Sequence, residues 1–240
     1  MSQADIATRL EAIRTSIHES ARRAGRADDI TLVAVSKTVD IERIRAAIEA
    51  GQHTFGENRV QEAISKIEEF ADVFPPLSWH LLGHVQTNKV KTAIGRFACV
   101  ETVDSVRLAE QLDKRAYEAG ITLPVLLEVN VGGEASKSGF SPDTLERDAE
   151  AIVGMISLQL QGLMTIAPIS HSAEDVRWVF RRLRVLRDSL RERYSLKDFS
   201  HLSMGMSNDY EVAIEEGATI VRIGRALFGD RPAAPRTRQT

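Results

Sequence analysis

The chain carries one cysteine, Cys99, in 240 residues. A lone thiol cannot close an internal disulfide, so a disulfide-stapled secreted scaffold is excluded and a reducing, cytoplasmic setting is expected. Long apolar runs are also missing: none approaches the roughly 20 residues that a membrane-spanning helix needs. The first stretch does not have the form of a signal peptide. Asp5, Arg9, Glu11 and Arg14 alternate there with Ile6, Leu10, Ile13 and Ile17, the pattern of an amphipathic helix. Nor is there an excess of one charge. A net charge of −3 gives no global reason to expect nucleic acid or an anionic membrane as a partner. No domain-sized linker and no close repeat interrupts the sequence. What is present is ordinary globular composition, 43% hydrophobic and 27% charged, which supplies a sizeable core.

The stretch Leu32-Val33-Ala34-Val35-Ser36-Lys37 runs from four apolar residues into a lysine with no turn residue between. Such a run suits a strand buried on both faces of a parallel sheet, with Lys37 at its C-terminal end. In α/β folds ligands and chemistry gather at that edge. A partly desolvated amine there loses its proton more readily than a surface lysine and can attack an aldehyde. The plain alternative is a solvated lysine closing a strand.

The pattern then repeats. Asp40 caps a helix carrying Ile41, Ile44 and Ile48, and Gly51 ends it. Thr54-Phe55-Gly56 is a second strand, followed by a helix from Arg59 to Phe70. Trp79 to Gly83 is a third strand and Thr87 to Ile94 a third helix. Ala98 to Glu101 precedes a helix from Ser105 to Ala119, stopped by Gly120. Pro124 to Val131 precedes a helix opening at Ser141-Pro142, where proline belongs in the first turn. Leu158 to Thr165 leads to a helix from Ala173 to Arg193, and Phe199 to Ser203 to a helix over Asp209 to Glu216. Thr219 to Ile223 leads to Gly224 and a short helix near Ala226. Eight strand-helix units whose strands mostly lack polar alternation predict a (β/α)8 TIM barrel with an extra N-terminal helix. An open doubly wound sheet is the rival. Residues 1–230 are expected to form one domain, and 231–240, with two prolines, three arginines and no apolar periodicity, a disordered tail. Cys99, in Phe97-Ala98-Cys99-Val100, reads as core packing.

In a barrel the eight strand ends converge on one mouth. Here that gathers Lys37, Gly56-Glu57-Asn58, Gly83-His84, Glu101-Thr102, Asn130, Met164-Thr165, Ser203 to Ser207 and Arg222-Ile223-Gly224. Barrels commonly hold phosphate with the loops after strands seven and eight. Gly205 permits close approach, Ser207 offers a hydroxyl at the start of a helix, and Gly224 opens the last one. A lysine amine across the mouth from a phosphate cradle suggests a phosphorylated aldehyde, with pyridoxal phosphate the obvious choice.

The motifs that carry a family resemblance come in order along the chain. They are Ala34 to Lys37, Phe55-Gly56-Glu57-Asn58-Arg59-Val60-Gln61-Glu62, Trp79 to Lys89, Gly162-Leu163-Met164-Thr165, Leu202 to Tyr210 and Val221-Arg222-Ile223-Gly224. From Leu32 to Gly229 the sequence resembles the pyridoxal phosphate homeostasis proteins, whose domain is similar to the barrel domain of alanine racemase. The resemblance implies that Lys37 holds pyridoxal 5′-phosphate as an internal aldimine. It implies that Ser207, Gly224 and Arg225 hold the phosphate, that Arg222 faces the pyridine nitrogen, and that Asn58 and Met164 lie beside the ring. An arginine does not readily protonate that nitrogen, so carbanion chemistry is muted.

The racemases need a second domain and a catalytic tyrosine that this sequence does not display. Of Tyr117, Tyr194 and Tyr210, only Tyr210 is expected near the site. With no obvious second acid/base, efficient racemization is not expected. The resemblance implies a carrier that stores or delivers the cofactor, with apo-enzymes as possible recipients, affects amino-acid and keto-acid balance, and acts as a monomer. The alternatives are a slow amino-acid racemase or related enzyme, and a phosphate-binding barrel enzyme without pyridoxal. His80 and His84 make a poor zinc pair, since a strand end does not put both rings on one face. His84 is placed near the mouth. Lys137 sits in a flexible loop and is part of the family pattern, which leaves a role for it in cofactor transit open. Arg177, Arg181, Arg184, Arg187 and Arg191 read as a solvated helix face.

Overall fold

The computed structural model describes residues 3–229. Strands β1 (Thr31–Val35), β2 (Thr54–Glu57), β3 (Ser78–Leu81), β4 (Cys99–Val103), β5 (Leu123–Glu128), β6 (Leu158–Met164), β7 (His201–Ser203) and β8 (Ile220–Ile223) close in chain order into a parallel barrel. β8 returns to β1 with Thr31 opposite Ile220 and Ala34 opposite Ile223. The helices are α1 (Gln3–Arg23), α2 (Ile41–Glu49), α3 (Val60–Glu69), α4 (Val90–Ala93), α5 (Val106–Ala119), α6 (Pro142–Val153), α7 (Arg177–Arg193), α8 (Tyr210–Glu215) and α9 (Arg225–Phe228). The expected tail at 231–240 lies outside the described residues.

Successive strand residues point to opposite faces, and the apolar core divides accordingly. Val33, Leu82, Cys99, Leu126, Met164 and Ile220 fill the barrel, while Ala34, Phe55, Trp79, Val100, Leu127, Leu163 and Leu202 face the helix ring. Each fully buried aliphatic or aromatic side chain contributes about 1.5–3 kcal/mol. Cys99 is packing, as expected, and burial followed by the Glu101 charge raises its thiol pKa well above the ordinary value.

Local signals place the helix ends. Asp40, Ser105 and Ser141 each accept a backbone N–H three residues on, and Gly120 ends α5 in the left-handed region. The extra helix α1 buries Ile6, Leu10, Ile13 and Ile17. It is tied to α8 by Arg23 to Glu211 at 3.1 Å and by Tyr210 Oη donating to Ser16 Oγ at 2.9 Å.

Several expected elements are shorter: β3 ends at Leu81 rather than Gly83, α3 and α8 each lose a residue at both ends, and three more have a visible cause. The third helix is a 3-10 turn over Thr87–Lys89 followed by four residues of α4, because Ile94 turns out to ψ 130° and Gly95 follows at φ +73°. β5 stops at Glu128 rather than Val131: Asn130 Nδ2 turns back to the carbonyls of Glu134 and Lys137 and curls the loop. β7 starts at His201, since the Ser200 carbonyl accepts from Arg187 of α7. The arginine row of α7 is also more than a solvated face. Arg177, Arg181 and Arg184 converge on the buried Glu216, and Arg177 also meets Glu174 and Glu215.

Candidate functional site

Lys37 lies two residues past β1, in the alternation that turns Val33 and Val35 inward, and is partly buried. Because the barrel closes β8 against β1, the turn at Gly224 lies against Val35, at the end of the strand that leads to Lys37, rather than across the mouth from it. A Cβ added at Gly224 would stand 3.2 Å from the Val35 carbonyl oxygen.

The loops after β7 and β8 are stapled together. Ser207 Oγ accepts from Ala226 N at 3.2 Å, and Arg225 Nη2 donates to Asn208 Oδ1 at 3.0 Å. The serine thus serves the last helix, α9, rather than the helix that follows it in sequence. Its own hydroxyl proton is still available to an oxyanion, since accepting a bond does not use it. Gly205 holds φ +93°, and a Cβ there would fall 2.7 Å from Ala213 Cβ. Glycine is therefore required for the loop to lie this close to α8. Asp209 Oδ1 accepts from Met206 N at 2.6 Å; burial raises its pKa more than this bond and the Arg222 charge lower it.

Arg222, on β8, is 5% exposed inside the barrel. Its Nη1 donates to Ser203 Oγ at 2.6 Å and its Nη2 to the Thr165 carbonyl at 2.7 Å, leaving Nε–H outside both bonds. Ser203 in turn donates to Glu101 Oε2, and His80 Nδ1 donates to Glu101 Oε1 at 2.6 Å. Burial pushes the Glu101 carboxyl up, but the His80 bond, the His80 and Arg222 charges and the Ser203 bond outweigh it, so its pKa lies below the ordinary value. Burial lowers the Arg222 pKa against the raising charges of Glu101, Asp209 and Glu128. A guanidinium remains protonated regardless.

On the β2–β6 side of the mouth lies a cavity of about 220 Å³ lined by Asn58, His84, Glu128, Asn130, Lys137 and Ser138, among others. Glu128 is 8% exposed, and burial, then the Asp104 charge, raises its pKa. Lys137 Nζ pairs with Glu134 and donates to the Ala167 carbonyl at 3.1 Å. His84 is exposed and bonded to Asp104 at 2.7 Å, while His80 belongs to the Arg222 network; the two rings do not converge. No group of acids, histidines and cysteine among the described residues could hold a metal. A larger cavity, about 410 Å³, lies at the opposite end, against the strand N-termini between α1 and residues 28–32 and 51–54. Strand N-terminal ends serve stability in barrels, so its size does not make it the site.

Of the residues singled out in the sequence, Lys37, Ser207, Arg222, Gly224 and Arg225 gather at the β7–β8–β1 sector. Asn58 lines the neighbouring cavity, and Met164, 1% exposed, is part of the barrel's floor. Tyr210 packs against Gly205 in the loop after β7, and its hydroxyl donates away from the mouth, to Ser16 of α1. Glu57, Glu101 and Ser203 are among the strand-end residues that the sequence brings to the mouth, but the bonds that join Glu101 to His80 and Ser203, the buried Glu128 and a second network around Lys66 are seen first in the structure. One sign of the second was available: Lys66 falls on the same helix face as the apolar Val60, Ala63 and Phe70.

The family model for the alanine racemase N-terminal domain matches residues 8–232. A pyridoxal phosphate homeostasis protein from Aquifex aeolicus is 46% identical over 224 residues, spanning 93% of this chain and 97% of that protein. The chain belongs to the pyridoxal phosphate homeostasis protein family. The Escherichia coli member is 41% identical over 230 residues, 95% of this chain and 97% of its own. Among solved structures, PipY of Synechococcus elongatus with pyridoxal phosphate bound is 38% identical with a TM-score of 0.83, covering 93% of this chain and 100% of PipY. The chain's barrel also matches an alanine racemase from Clostridium difficile at TM-score 0.71 and 17% identity. There the alignment covers 96% of this chain and 57% of the racemase, a likeness of fold alone. No helix among the described residues is long and apolar enough to cross a membrane.

Proposed function

We propose that this chain binds pyridoxal 5′-phosphate through a Schiff base to Lys37 and acts in intracellular homeostasis of that cofactor, holding it and passing it on. The observation that carries the reading is the meeting of three features at adjoining strands: the strand-end lysine, the stapled loops after β7 and β8, and a buried arginine below them. The residues fit the group. Ser207 keeps a proton for a phosphate oxygen, with Gly224 and Arg225 beside it at the start of α9. Arg222 would face the ring nitrogen, and Asn58 and Met164 would flank the ring. When bound, the cofactor supplies an aldehyde carbon for the amine and an electron-withdrawing ring.

The rest is the protein's own chemistry. Arg222 keeps its protons, so it would offer a bound ring's nitrogen a hydrogen bond without protonating it, which would leave the ring a weak electron sink. The Glu101 carboxylate below it compensates the buried guanidinium. Tyr210, already committed to Ser16, is withdrawn from acid/base work. These features favour a carrier in a single barrel domain over a racemase. Cytoplasmic location, a monomeric state and apo-enzymes as recipients complete the proposal.

A slow amino-acid transformation is the second reading, and Glu128 favours it. A buried carboxyl in the mouth whose pKa is raised by burial and by the Asp104 charge keeps its proton to a higher pH than a surface glutamate does. Pyridoxal phosphate titrated against the wild type should give a saturable visible absorption that Lys37→Ala abolishes. Incubation with a panel of L-amino acids should give no turnover. Turnover that vanishes in both Lys37→Ala and Glu128→Gln would establish the enzyme instead.

A further inference from the structure

A second buried network lies on the outer side of the barrel, between β1, β2 and α3. Lys66 of α3 is 5% exposed, and its ammonium donates to three acceptors: Ser36 O at 2.8 Å, Glu57 Oε1 at 2.7 Å and Glu62 Oε1 at 2.9 Å. Ser36 Oγ also donates to Glu57 Oε1, at 2.6 Å, and Thr38 N donates to Glu62 Oε1, at 2.6 Å. The two residues held by this network are those immediately before and after Lys37. Ser36 is further fixed by its N–H on the Gly56 carbonyl at 3.0 Å, and Val39 N closes the turn onto Ser36 O at 2.9 Å.

Thr38 has φ +64°, a left-handed conformation that a β-branched residue adopts only under constraint. The bond to Glu62 supplies that constraint. A buried lysine is also a costly way to attach a helix to a sheet, since an apolar side chain of similar volume commonly does so as well or better. Its three acceptors meet the cost here and converge on one turn. From this geometry we infer that Lys66, with Glu57 and Glu62, is a positioning device for Lys37: α3 grips the backbone on both sides of the amine and fixes the direction in which it leaves the strand. The inference rests on the reading of Lys37 as the cofactor's anchor. Reactions between held groups fall steeply with small misplacements, so a loosened turn lowers capture without removing any residue that touches the cofactor.

The test uses the full chain with Lys66→Met, Glu62→Ala and Glu62→Gln. One readout is amide hydrogen exchange at Thr38 with no cofactor added. The other is the rate at which added pyridoxal phosphate becomes reducible by borohydride onto Lys37, located by peptide mass. Lys66→Met and Glu62→Ala should each speed Thr38 exchange and slow capture at Lys37, both by about tenfold or more. Glu62→Gln, which retains an acceptor for Thr38 N–H, should stay within about twofold of wild type. Glu62 is partly exposed, so Glu62→Ala is decisive even if Lys66→Met does not fold. Capture at the wild-type rate in Glu62→Ala, whether or not Thr38 exchange rises, would overturn the inference. Wild-type protein that takes no label on Lys37 would instead remove the anchor reading itself, whatever the exchange data show.

Discussion

Glu57 and Glu101 are both fully buried glutamates on barrel strands, and they are perturbed in opposite directions. Glu101 faces inward and has both oxygens satisfied, one by His80 and one by Ser203, with Arg222 4.0 Å away. Its pKa is lowered despite burial. Glu57 faces the helix ring and takes both of its bonds, from Ser36 and Lys66, on Oε1, while Oε2 is buried without a hydrogen-bond partner. There burial dominates, the Glu62 charge adds to it, and the pKa is raised. Burial alone therefore does not set the direction of a buried carboxyl's shift: Glu101 has a donor on each oxygen and two cationic neighbours, whereas Glu57 has one cationic neighbour, offset by the Glu62 charge, and an oxygen with no donor. The inner network is built to keep an ion pair charged under the proposed ring. The outer one spends its donors on the backbone around Lys37.

The comparison breaks first under truncation. Glu101→Ala strands the buried Arg222 and should cost about 3–5 kcal/mol in urea unfolding. Glu57→Ala leaves Lys66 with Glu62 and the Ser36 carbonyl, so a smaller loss of about 1–3 kcal/mol is expected. Equal losses would contradict the asymmetry.

Titration sharpens it. The folded pKa of Glu101 lies below its unfolded value, so its contribution is present above the unfolded pKa and lost as the pH falls through the folded one. For Glu57 the folded pKa lies above the unfolded value, so its share of stability falls as the pH rises from the unfolded pKa through the folded one. Stability measured from about pH 3.5 to 7 should therefore show Glu101→Gln losing most at the neutral end. Over the same range Glu57→Gln should improve relative to wild type as the pH rises. The smallest effect belongs outside both networks: Tyr210→Phe removes one bond to Ser16, should cost about 0.5–1.5 kcal/mol, and should leave cofactor binding unchanged.

The barrel was legible in the sequence because its signals are local. Asp40, Ser105, Gly120 and Pro142 mark helix ends within a few residues, and the apolar runs mark strands. Elements shortened by side-chain bonds to the backbone were not legible: Asn130 folding back on its own loop and Arg187 of α7 taking the Ser200 carbonyl leave no trace in periodicity. The same holds for the site. Lys37, Ser207, Arg222 and Gly224 stand at strand ends and could be read there. The partners that tune them could not, since Glu101 meets Ser203 from 102 residues away and Ser36 meets Lys66 from 30. Closure of β8 on β1, which brings Gly224 against Val35, by contrast follows from the (β/α)8 pattern itself.

Borohydride reduction of the wild-type protein with pyridoxal phosphate, followed by peptide mapping, tests the central claim most directly. A single pyridoxyl label on Lys37, absent in Lys37→Ala, is the predicted result. No label, or a label confined to Lys137 in the neighbouring cavity, would contradict the assignment and return Lys37 to an ordinary lysine at the end of a strand.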